Sequence, residues 1–350
     1  MSAATLAPAR TARDRTEARL LVLEPEQGPL SVCPFSELPS WLDPGDLLVF
    51  NDAATLPASL RAQLGSIPIE LRLAGASPAG YWAVLFGPGS WRQRTETRPP
   101  PPLVSVGTVL RLATMQAEVM AIDPRSPRLV ELRFSLDGDA LWKALYTEGR
   151  PIQYAYHRAP LALWSVQNSY GARPVAMEMP SAGRAFTFST FLALRRRGIG
   201  LAWLTHAAGL SSTGDPALDR RLPLPEQFEI PAITSAAVTR ARAAGRRVLA
   251  VGTSVVRALE SSARMGCAAG VTELRLGPTD RLEVVTDLLT GMHVEGESHY
   301  ELLHTFLHPH RLAQANRLAA QEGMYSHEFG DLTLILRRRG AGRLPLSSVA

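Results

Sequence analysis

One segment of the chain joins an apolar strand, a glycine turn and a helix that opens with hydroxyl residues. The strand is predicted over residues 247–251, Gly252 and Thr253 follow it, and the helix is predicted over residues 254–263. A helix N-terminus presents free N–H groups and partial positive charge, which suit a carboxylate or a phosphate. A single glycine is also ordinary punctuation between a strand and a helix, and no G-x-G-x-x-G motif names a nucleotide fold. Ligand binding and plain turn formation are both open for this unit.

Histidines recur towards the C-terminal end of the chain, at positions 293, 299, 304, 308 and 310. His304 and His308 have the i, i+4 spacing that places two metal ligands on one helix face. The glutamate of an H-E-x-x-H motif is missing between them, and Pro309 interrupts the pattern. Cys33 and Cys267, the only cysteines, are not placed as a ligand pair. We therefore predict no metal.

The charge of the chain leaves open whether it has a polyanionic partner. The net charge is +5, and Lys143 is the only lysine among 37 basic residues. A Schiff-base mechanism needs a lysine amine and is therefore not favoured. Arginine clusters would form the footprint of a nucleic acid if they shared a face. They lie at residues 195–197, 220–221, 246–247 and 337–339. A genomic bias towards arginine explains the same clusters.

The elements that must position these residues are those of a two-part α/β protein. Residues 67–140 contain short alternating segments broken by glycines and prolines, which predict a small all-β insert. On either side of it, in residues 1–66 and 141–350, apolar strands alternate with helical patterns, as in a largely parallel sheet with crossover helices. We predict strands at residues 20–23, 46–50, 200–204, 247–251 and 332–336, and helices at residues 189–197, 235–244, 254–263 and 309–322. Residues 1–18 are predicted to be a loose arm and residues 337–350 a tail.

The sequence also bears on where the protein resides. At 46% hydrophobic and 20% charged residues, its composition is that of a folded soluble protein. Neither a membrane span nor the apolar run of a signal peptide is present. We predict a cytoplasmic protein with no membrane partner.

Ordered segments of the chain follow the motifs of one family. They are GDLLVFND (45–52), QNSY (167–170), PSAGRAFT (180–187), TH (205–206), GTSVVRALE (252–260), TDLLTGMH (286–293) and FGD (329–331). In these segments the chain resembles the S-adenosylmethionine:tRNA ribosyltransferase-isomerase family of queuosine biosynthesis. The order and approximate spacing of the segments are also those of the family.

The resemblance implies a fold and a reaction. The fold is a large α/β domain that binds S-adenosylmethionine, here residues 1–66 and 141–350, with a small β-barrel inserted at residues 67–140. The reaction moves the ribosyl part of S-adenosylmethionine onto 7-aminomethyl-7-deazaguanine in tRNA and rearranges it to an epoxycyclopentane, releasing adenine and methionine. S-adenosylmethionine is then a co-substrate, and no metal or further cofactor takes part. Such a protein supplies a base, an acid for adenine and groups that hold the methionine end.

Matching positions give the candidate catalytic residues. Asp52 is predicted to orient substrate hydroxyls or act as a base, although an Asn-Asp pair is also a routine turn. His206 and His293 each follow an apolar strand and suit proton transfer near neutral pH, unless each only bonds to a carbonyl. Arg257 is predicted to bind a carboxylate, the alternative being a surface ion pair with Glu260.

The remaining matching positions are candidate substrate contacts. Tyr170 and Phe186 are predicted to stack on adenine or a base, with core packing equally open. Gly183 is predicted to permit a close approach of the backbone. The full predicted binding set is Asn51, Gln167, Tyr170, Gly183, Phe186, Gly252, Thr253, Arg257 and Asp331.

Several motifs depart from the family pattern. Ala185 stands where the family has the histidine of T-A-G-L-H-F-T, and Arg184 stands where it has leucine. The residues at 207–212, 291–295 and 324–328 differ as well. Three readings therefore remain: a divergent tRNA ribosyltransferase-isomerase, an enzyme that uses the same pocket on a small-molecule acceptor or to cleave S-adenosylmethionine, and a non-catalytic RNA- or ligand-binding relative.

Overall fold

A computed structural model describes residues 6–24, 28–296 and 298–336. The strands in these residues, in chain order, are β1 (Ala7–Pro8), β2 (Arg19–Leu23), β3 (Ser31–Pro34), β4 (Leu47–Asn51), β5 (Ala53–Thr55), β6 (Ser59–Leu64), β7 (Ile67–Ala76), β8 (Tyr81–Phe86), β9 (Val109–Arg111), β10 (Gln116–Ile122), β11 (Leu129–Phe134), β12 (Arg173–Ala176), β13 (Gly200–His206), β14 (Glu226–Glu229), β15 (Val248–Val251), β16 (Ala269–Thr272), β17 (Asp287–Gly291), β18 (Tyr325–Ser326) and β19 (Leu332–Ile335).

The α-helices of the same residues are α1 (Gly138–Glu148), α2 (Phe188–Arg196), α3 (Pro216–Asp219), α4 (Ala232–Ala243), α5 (Thr253–Met265), α6 (Ser298–Leu303) and α7 (Pro309–Gln321). The predicted strands and helices of the α/β part are confirmed. The largest displacement of an end is at α4, which begins at Ala232 rather than at residue 235. Within the described residues, none of the helices combines the length and the apolar character that crossing a membrane requires.

The α/β part is built on a sheet with the strand order β16-β14-β13-β4-β15-β17-β19-β2-β3. Strands β13, β4, β15 and β17 are mutually parallel neighbours, whereas β19 runs antiparallel to β17. Every residue of β4, β15 and β17 is buried, because both faces of a parallel sheet are covered and its strands carry continuous apolar runs. The carboxyl ends of the four parallel strands therefore meet at one edge.

Different elements cover the two faces of this sheet. Helices α4, α5 and α7 pack on one face through side chains such as Val238, Val256 and Leu312. The other face holds an apolar cluster that includes Phe50 and Phe186. Their rings meet edge to face with centroids 4.9 Å apart. Phe186 is fully buried and therefore belongs to the core. Aromatic pairs in this geometry contribute stability beyond the area they bury.

The inserted β structure is a closed barrel with the strand order β10-β11-β8-β7-β6-β9. The prediction of an α/β protein with an inserted β-barrel is confirmed. Strand β6 alternates inward residues, Leu60 and Ala62, with outward ones, as a barrel wall requires. The barrel begins with β6 at Ser59. The sequence analysis predicted that the insert starts at residue 67, which is the first residue of the second barrel strand, β7.

The prediction of a loose N-terminal arm is wrong for residues 6–18. Arg13 donates a hydrogen bond to Asp331 Oδ1 at 3.1 Å, and Arg15 donates one to the carbonyl of Gln167 at 2.6 Å. Strand β1 pairs with β18 in parallel. These long-range contacts fix the arm to the α/β part. The predicted tail, residues 337–350, lies outside the described residues.

Candidate active site

A cavity of about 760 Å³ lies at the carboxyl edge of the parallel strands and is called the main cavity below. Its walls include the residues that follow β13, β15 and β17, together with two segments next to the barrel. They comprise residues 94–96, 154–156, 178–182, 208–212, 252–254, 290–293 and 327–328, with a few others. Ligands of open α/β sheets bind outside the carboxyl ends of the strands, and cavities of this size hold small molecules.

The strand-turn-helix unit singled out in the sequence forms part of this cavity. Gly252 has φ +101°, a left-handed conformation that favours glycine, and its N–H donates to the carbonyl of Leu289 at 2.7 Å. Helix α5 begins at the next residue, so Thr253 and Ser254 bring the helix N-terminus to the cavity wall. The N–H groups and partial charge of that terminus are suited to an anionic group of a ligand.

A carboxylate that the sequence analysis did not predict, Glu178, also lines the main cavity. Glu178 accepts a short hydrogen bond from the hydroxyl of Tyr154 and a second from the backbone N–H of Ser211, at 3.1 Å. Burial raises the pKa of Glu178 to about 7, which outweighs the lowering by these hydrogen bonds. A carboxyl group with this pKa exchanges its proton near neutral pH, as a general acid or base must.

A second carboxylate, Glu328, lies near Glu178 and contributes to its raised pKa. The hydroxyl of Tyr156 is 2.6 Å from both carboxylate oxygens of Glu328, and His157 Nε2 lies 3.7 Å from Oε2. Burial lowers the pKa of His157 to about 4, so this imidazole is neutral at physiological pH. Two tyrosines, Tyr154 and Tyr156, thus bind one carboxylate each in the same wall.

His293, a predicted catalytic residue, also lines the main cavity. Its Nε2 lies 2.9 Å from the hydroxyl of Thr290 at the end of β17, and its ring stacks on that of His299 with centroids 5.2 Å apart. The carbonyl of His293 accepts a hydrogen bond from Asn316. These contacts orient a half-buried imidazole beside the cavity, and its role in proton transfer stays a prediction.

His206, the other predicted catalytic histidine, belongs to a buried ionic cluster instead. Its ring is fully buried, and Nε2 lies 3.4 Å from Glu226 Oε2. Glu226 also accepts a short charged hydrogen bond from Arg257. Although burial acts in the opposite direction, Arg257 and His206 hold the pKa of Glu226 below its usual value. Burial lowers the pKa of His206 to about 4.

This cluster sits between the main cavity and an adjoining cavity of about 320 Å³. The carboxylate that Arg257 binds is therefore that of Glu226, within the chain. The alternative surface pair of Arg257 with Glu260 is wrong, because Glu260 accepts hydrogen bonds from the backbone N–H groups of residues 283–285. Glu226 also accepts from the N–H of Gly209, at 2.6 Å, and so fixes the loop that forms one cavity wall.

Asn51 and Asp52 lie at the carboxyl end of β4 but do not line the main cavity. The amide of Asn51 is fully buried and bonds to both the N–H and the carbonyl of His206, each at 2.9 Å. Asp52 Oδ1 accepts a hydrogen bond from the Thr205 hydroxyl at 2.6 Å. Both side chains tie β4 to β13, and in this structure neither faces the cavity as a base would.

Four further predicted contacts have partners within the chain. Gln167 binds the backbone N–H and carbonyl of Thr55, at 2.9 and 2.7 Å. Asp331 is buried and accepts from Arg13 and from backbone N–H groups. Phe186 is a core residue, as described above. Tyr170 packs its ring against Phe50, with centroids 5.3 Å apart.

Gly183 does permit a close approach, but the approaching group is a side chain of this protein. A Cβ at this position would lie 1.8 Å from the hydroxyl oxygen of Tyr170. The glycine therefore makes room for Tyr170 beneath the aromatic core. Ala185, where the family histidine is replaced, is also buried in that core and does not line the main cavity.

The structure separates the two histidines that have the i, i+4 spacing. His304 lies beyond the end of α6, whereas His308 caps the N-terminus of α7, so the two do not share a helix face. Among residues 6–24, 28–296 and 298–336, no group of three or more histidine, cysteine, aspartate or glutamate side chains is arranged to hold a metal ion.

The fold is that of an α/β protein with an inserted β-barrel and a large cavity at the carboxyl edge of its sheet. Residues 3–335 match the family described as "Queuosine biosynthesis protein". The S-adenosylmethionine:tRNA ribosyltransferase-isomerase of Thermus thermophilus is 35% identical over 338 residues, covering 92% of this chain and 93% of that protein. The chain belongs to this queuosine biosynthesis family.

Other relatives agree with this assignment. The protein of the same name from Thermosynechococcus vestitus is 34% identical and covers 86% of this chain and 85% of its own length. The crystal structure of S-adenosylmethionine tRNA ribosyltransferase from Thermotoga maritima has a TM-score of 0.51 and 24% identity, covering 94% of this chain and 95% of that one. At that identity the structural likeness supports the fold.

Proposed function

We propose that this protein is an S-adenosylmethionine:tRNA ribosyltransferase-isomerase. It transfers the ribosyl group of S-adenosylmethionine to 7-aminomethyl-7-deazaguanine in tRNA and isomerises it, releasing adenine and methionine. The observation that carries the proposal is the main cavity, which combines a helix N-terminus at Thr253 with a carboxyl group, Glu178, whose pKa of about 7 allows proton transfer. Family membership supplies the substrates.

The reaction needs a base for the C5′ hydrogen of the ribose, which the neighbouring sulfonium acidifies. We assign this role to Glu178, because its carboxylate is held by Tyr154 and Ser211 at the cavity wall. Once it has accepted the proton, the Glu178 carboxyl group can donate it to the leaving nitrogen of adenine, because its pKa is near neutral pH. The sulfonium leaves as the neutral thioether of methionine, and adenine leaves with one added proton.

The N-terminus of α5 is proposed to hold the carboxylate of the methionine end. Three features converge there: the N–H groups of the first turn, the hydroxyls of Thr253 and Ser254, and their position in the cavity wall. His293, on the neighbouring strand end, is the second candidate for protonating adenine. S-adenosylmethionine acts here as a co-substrate, and we expect an enzyme that acts on tRNA to work in the cytoplasm.

The position of Ala185 in the structure favours a catalytic protein over a non-catalytic relative. Position 185 lies in the apolar core, so the missing family histidine leaves the groups that line the main cavity in place. Glu178, Tyr154 and His293 still provide proton-transfer groups there. The small-molecule acceptor has no observation of its own in its favour.

The experiment incubates purified protein with S-adenosylmethionine, with and without tRNA that carries 7-aminomethyl-7-deazaguanine, and separates adenine and methionine by chromatography. We expect equal amounts of both products, formed only when the modified tRNA is present. Release of adenine and methionine without tRNA would indicate that the acceptor is a small molecule rather than tRNA. No release under either condition, with the Thermus thermophilus protein active in parallel, would overturn the proposal.

A further inference from the structure

Two of the arginine clusters of the sequence lie away from the main cavity, whereas residues 220–221 stand between Asp219 and Leu222 of its wall, and Arg220 lines the adjoining cavity. Residues 195–197 and 246–247 lie at the opposite edge of the sheet, where β4, β13 and β15 begin. There Arg197 donates to the carbonyl of Leu42 at 2.9 Å, and the N–H of Arg247 donates to Asp46 at 3.1 Å. Residues 337–339 lie outside the described part of the chain. A polyanion that extends beyond the cavity needs a further basic surface in addition to residues 220–221.

The barrel carries such a surface. A second large cavity, of about 770 Å³, lies against the outer wall of the barrel and is called the barrel groove below. It is lined by residues 59, 61–63 and 68–70 of β6 and β7, by residues 111–113 at the end of β9, and by the segments 89–91, 148–151, 153 and 160–161. Three exposed arginines, Arg61, Arg111 and Arg150, lie among them.

Strand register puts these arginines in a row. Arg150 forms a bridge with Ser59, and Arg111 pairs with Gln63, so the row runs through positions 59, 61 and 63 of β6. Residues two apart on a strand point to the same side and are separated by about 7 Å. That repeat is close to the distance between successive phosphates of an extended nucleic acid strand. Measured along β6, the three arginines therefore follow one another at this repeat, with Arg61 on β6 itself and Arg111 and Arg150 on the segments paired beside it.

The charges of this row are available to a ligand. Within the described residues, the guanidinium groups of Arg61, Arg111 and Arg150 have neither a hydrogen-bond partner nor an ion pair. The two carboxylates of the groove, Glu148 and Glu70, bind other groups of the protein and not these arginines. Glu148 accepts from the N–H groups of residues 113 and 114, at 3.0 and 2.7 Å. Glu70 is paired with the buried guanidinium groups of residues 72 and 98.

An aromatic side chain completes the groove. Trp91 is half-buried in its wall, and the guanidinium of Arg92 lies over its ring at 4.7 Å from the centroid. Single-stranded nucleic acids are bound by basic grooves that follow the backbone and by aromatic rings on which bases stack.

The barrel groove and the main cavity are lined by neighbouring residues of the same two segments of the chain. Residues 89–91 line the groove and residues 94–96 line the cavity, so one connection serves both. The segment after α1 behaves in the same way, since Gln153 lines the groove and Tyr154 to Tyr156 line the cavity. An RNA strand in the groove would therefore continue towards the cavity that receives its reacting base.

We propose that the barrel groove, through Arg61, Arg111 and Arg150, binds the phosphate backbone of the tRNA next to the modified nucleotide. This inference rests on the proposed tRNA substrate and assigns the surface that holds it. The row contributes positioning and affinity, whereas the main cavity contributes the chemistry. Because Arg61 and Arg111 are exposed strand residues without partners in the described residues, replacing them leaves the barrel core intact.

The test compares two double variants that each remove two positive charges. One is Arg61→Gln with Arg111→Gln in the groove, and the matched control is Arg195→Gln with Arg196→Gln at the far edge of the sheet. Binding of fluorescently labelled tRNA is measured by anisotropy at several KCl concentrations. S-adenosylmethionine binding, measured by calorimetry, reports whether each variant keeps an intact main cavity.

For the groove variant we expect tRNA affinity to fall about tenfold, roughly threefold for each exposed guanidinium. Its plot of log affinity against log salt should be shallower by about 1.4, since each phosphate contact of a single strand contributes about 0.7. The KM for tRNA rises, with kcat and S-adenosylmethionine binding unchanged. The control variant keeps the affinity and salt slope of the parent protein.

The opposite results separate the two proposals. An unchanged salt slope in the groove variant, or an equal loss in both double variants, overturns the groove. A parent protein without affinity for tRNA overturns it as well. If the parent binds tRNA through these arginines but releases no adenine, the groove stands and the proposed reaction fails. If it releases adenine and the groove variant binds tRNA normally, the reaction stands and the groove fails.

Discussion

Replacing Glu178 by glutamine tests the proposed base directly. Glutamine has nearly the same size, and its carbonyl oxygen can still accept from the Tyr154 hydroxyl and the Ser211 N–H that hold the carboxylate in place. What the substitution removes is the ability to take up a proton. A change in rate therefore reports proton transfer rather than the loss of the local hydrogen bonds.

The expected loss follows from the role of a positioned base. General acid–base groups contribute about 10²- to 10⁴-fold to a rate, so Glu178→Gln should lower kcat by roughly that factor. Binding of S-adenosylmethionine should be nearly unchanged. In the parent protein kcat/KM should rise as pH passes through about 7, because the ionised carboxylate is the base. The variant should lack this step in its pH profile.

The same group makes a prediction for stability. Its pKa in the folded protein, about 7, lies above the usual 4.5, so the folded state binds this proton more tightly than the unfolded state. The stability linked to the protonated carboxyl is fully present below pH 4.5 and is lost as pH rises through about 7. This difference in pKa corresponds to a change of about 3 kcal/mol in the free energy of unfolding. The measured change should be smaller, because the carboxylate is only half-buried and water in the cavity screens it.

The measurement combines adenine release with urea unfolding from about pH 4 to about pH 8. As pH rises over this range, Glu178→Gln should become more stable than the parent protein. Its activity should stay low throughout. Glu96→Gln is the control, since Glu96 also lines the cavity but is exposed. A Glu178→Gln variant with parental kcat, or one that keeps the rise in activity near neutral pH, would refute the assignment of the base.

Three further substitutions test the surroundings of the cavity. His293→Ala should lower the rate of adenine release by about a hundredfold without affecting tRNA binding, and parental activity would exclude it from proton transfer. Arg257→Met leaves Glu226 buried without its cation, so urea unfolding should show a loss of about 3–5 kcal/mol, partly recovered by adding Glu226→Gln; no recovery would show that the pair is not the cause. Gly183→Ala places a Cβ 1.8 Å from the Tyr170 hydroxyl oxygen, and thermal unfolding should show a loss of about 1–3 kcal/mol that Tyr170→Phe reduces. A neutral Gly183→Ala would show that this region can move apart.

Much of the fold was predictable because its signals are local. Apolar runs such as residues 248–251, placed between a helix and a glycine, predict buried parallel strands, and β15 occupies those positions. The start of the barrel was misplaced, because β6 alternates buried and exposed residues directly after a short strand, and Pro57 alone is a weak signal of a boundary before Ser59. The attachment of the N-terminal arm depends on partners more than 150 residues away, which periodicity does not reveal.

The site was predicted only in part, for a related reason. Motif matching favours positions at strand ends, and Gly252, Thr253 and His293 do line the main cavity. The same rule selects Asn51 and His206, which hold strands and loops together. A motif marks a position that the fold depends on, and whether its side chain faces a ligand or a neighbouring strand is decided by tertiary packing.

The carboxylates were missed because nothing in their own segments distinguishes them. Glu178 lies two residues before the PSAGRAFT segment, and its pKa is raised by burial beside Tyr154, which comes from another part of the chain. Glu226 stands in a short antiparallel strand with an ordinary alternating pattern. Their one common signal is a charged residue in a position that the fold buries, and that becomes visible only once the fold is known.

The departures at Arg184 and Ala185 have a structural rationale outside the main cavity. Arg184 donates to the carbonyl of Arg13, and its guanidinium lies 4.8 Å from the ring centroid of Phe329. Arg13 in turn binds Asp331, so the substituted position fastens the N-terminal arm to the α/β part. Ala185 packs in the core beneath it. Because these replacements stabilise contacts outside the main cavity, the divergence of this motif alters how the fold is held together and does not remove the proposed base.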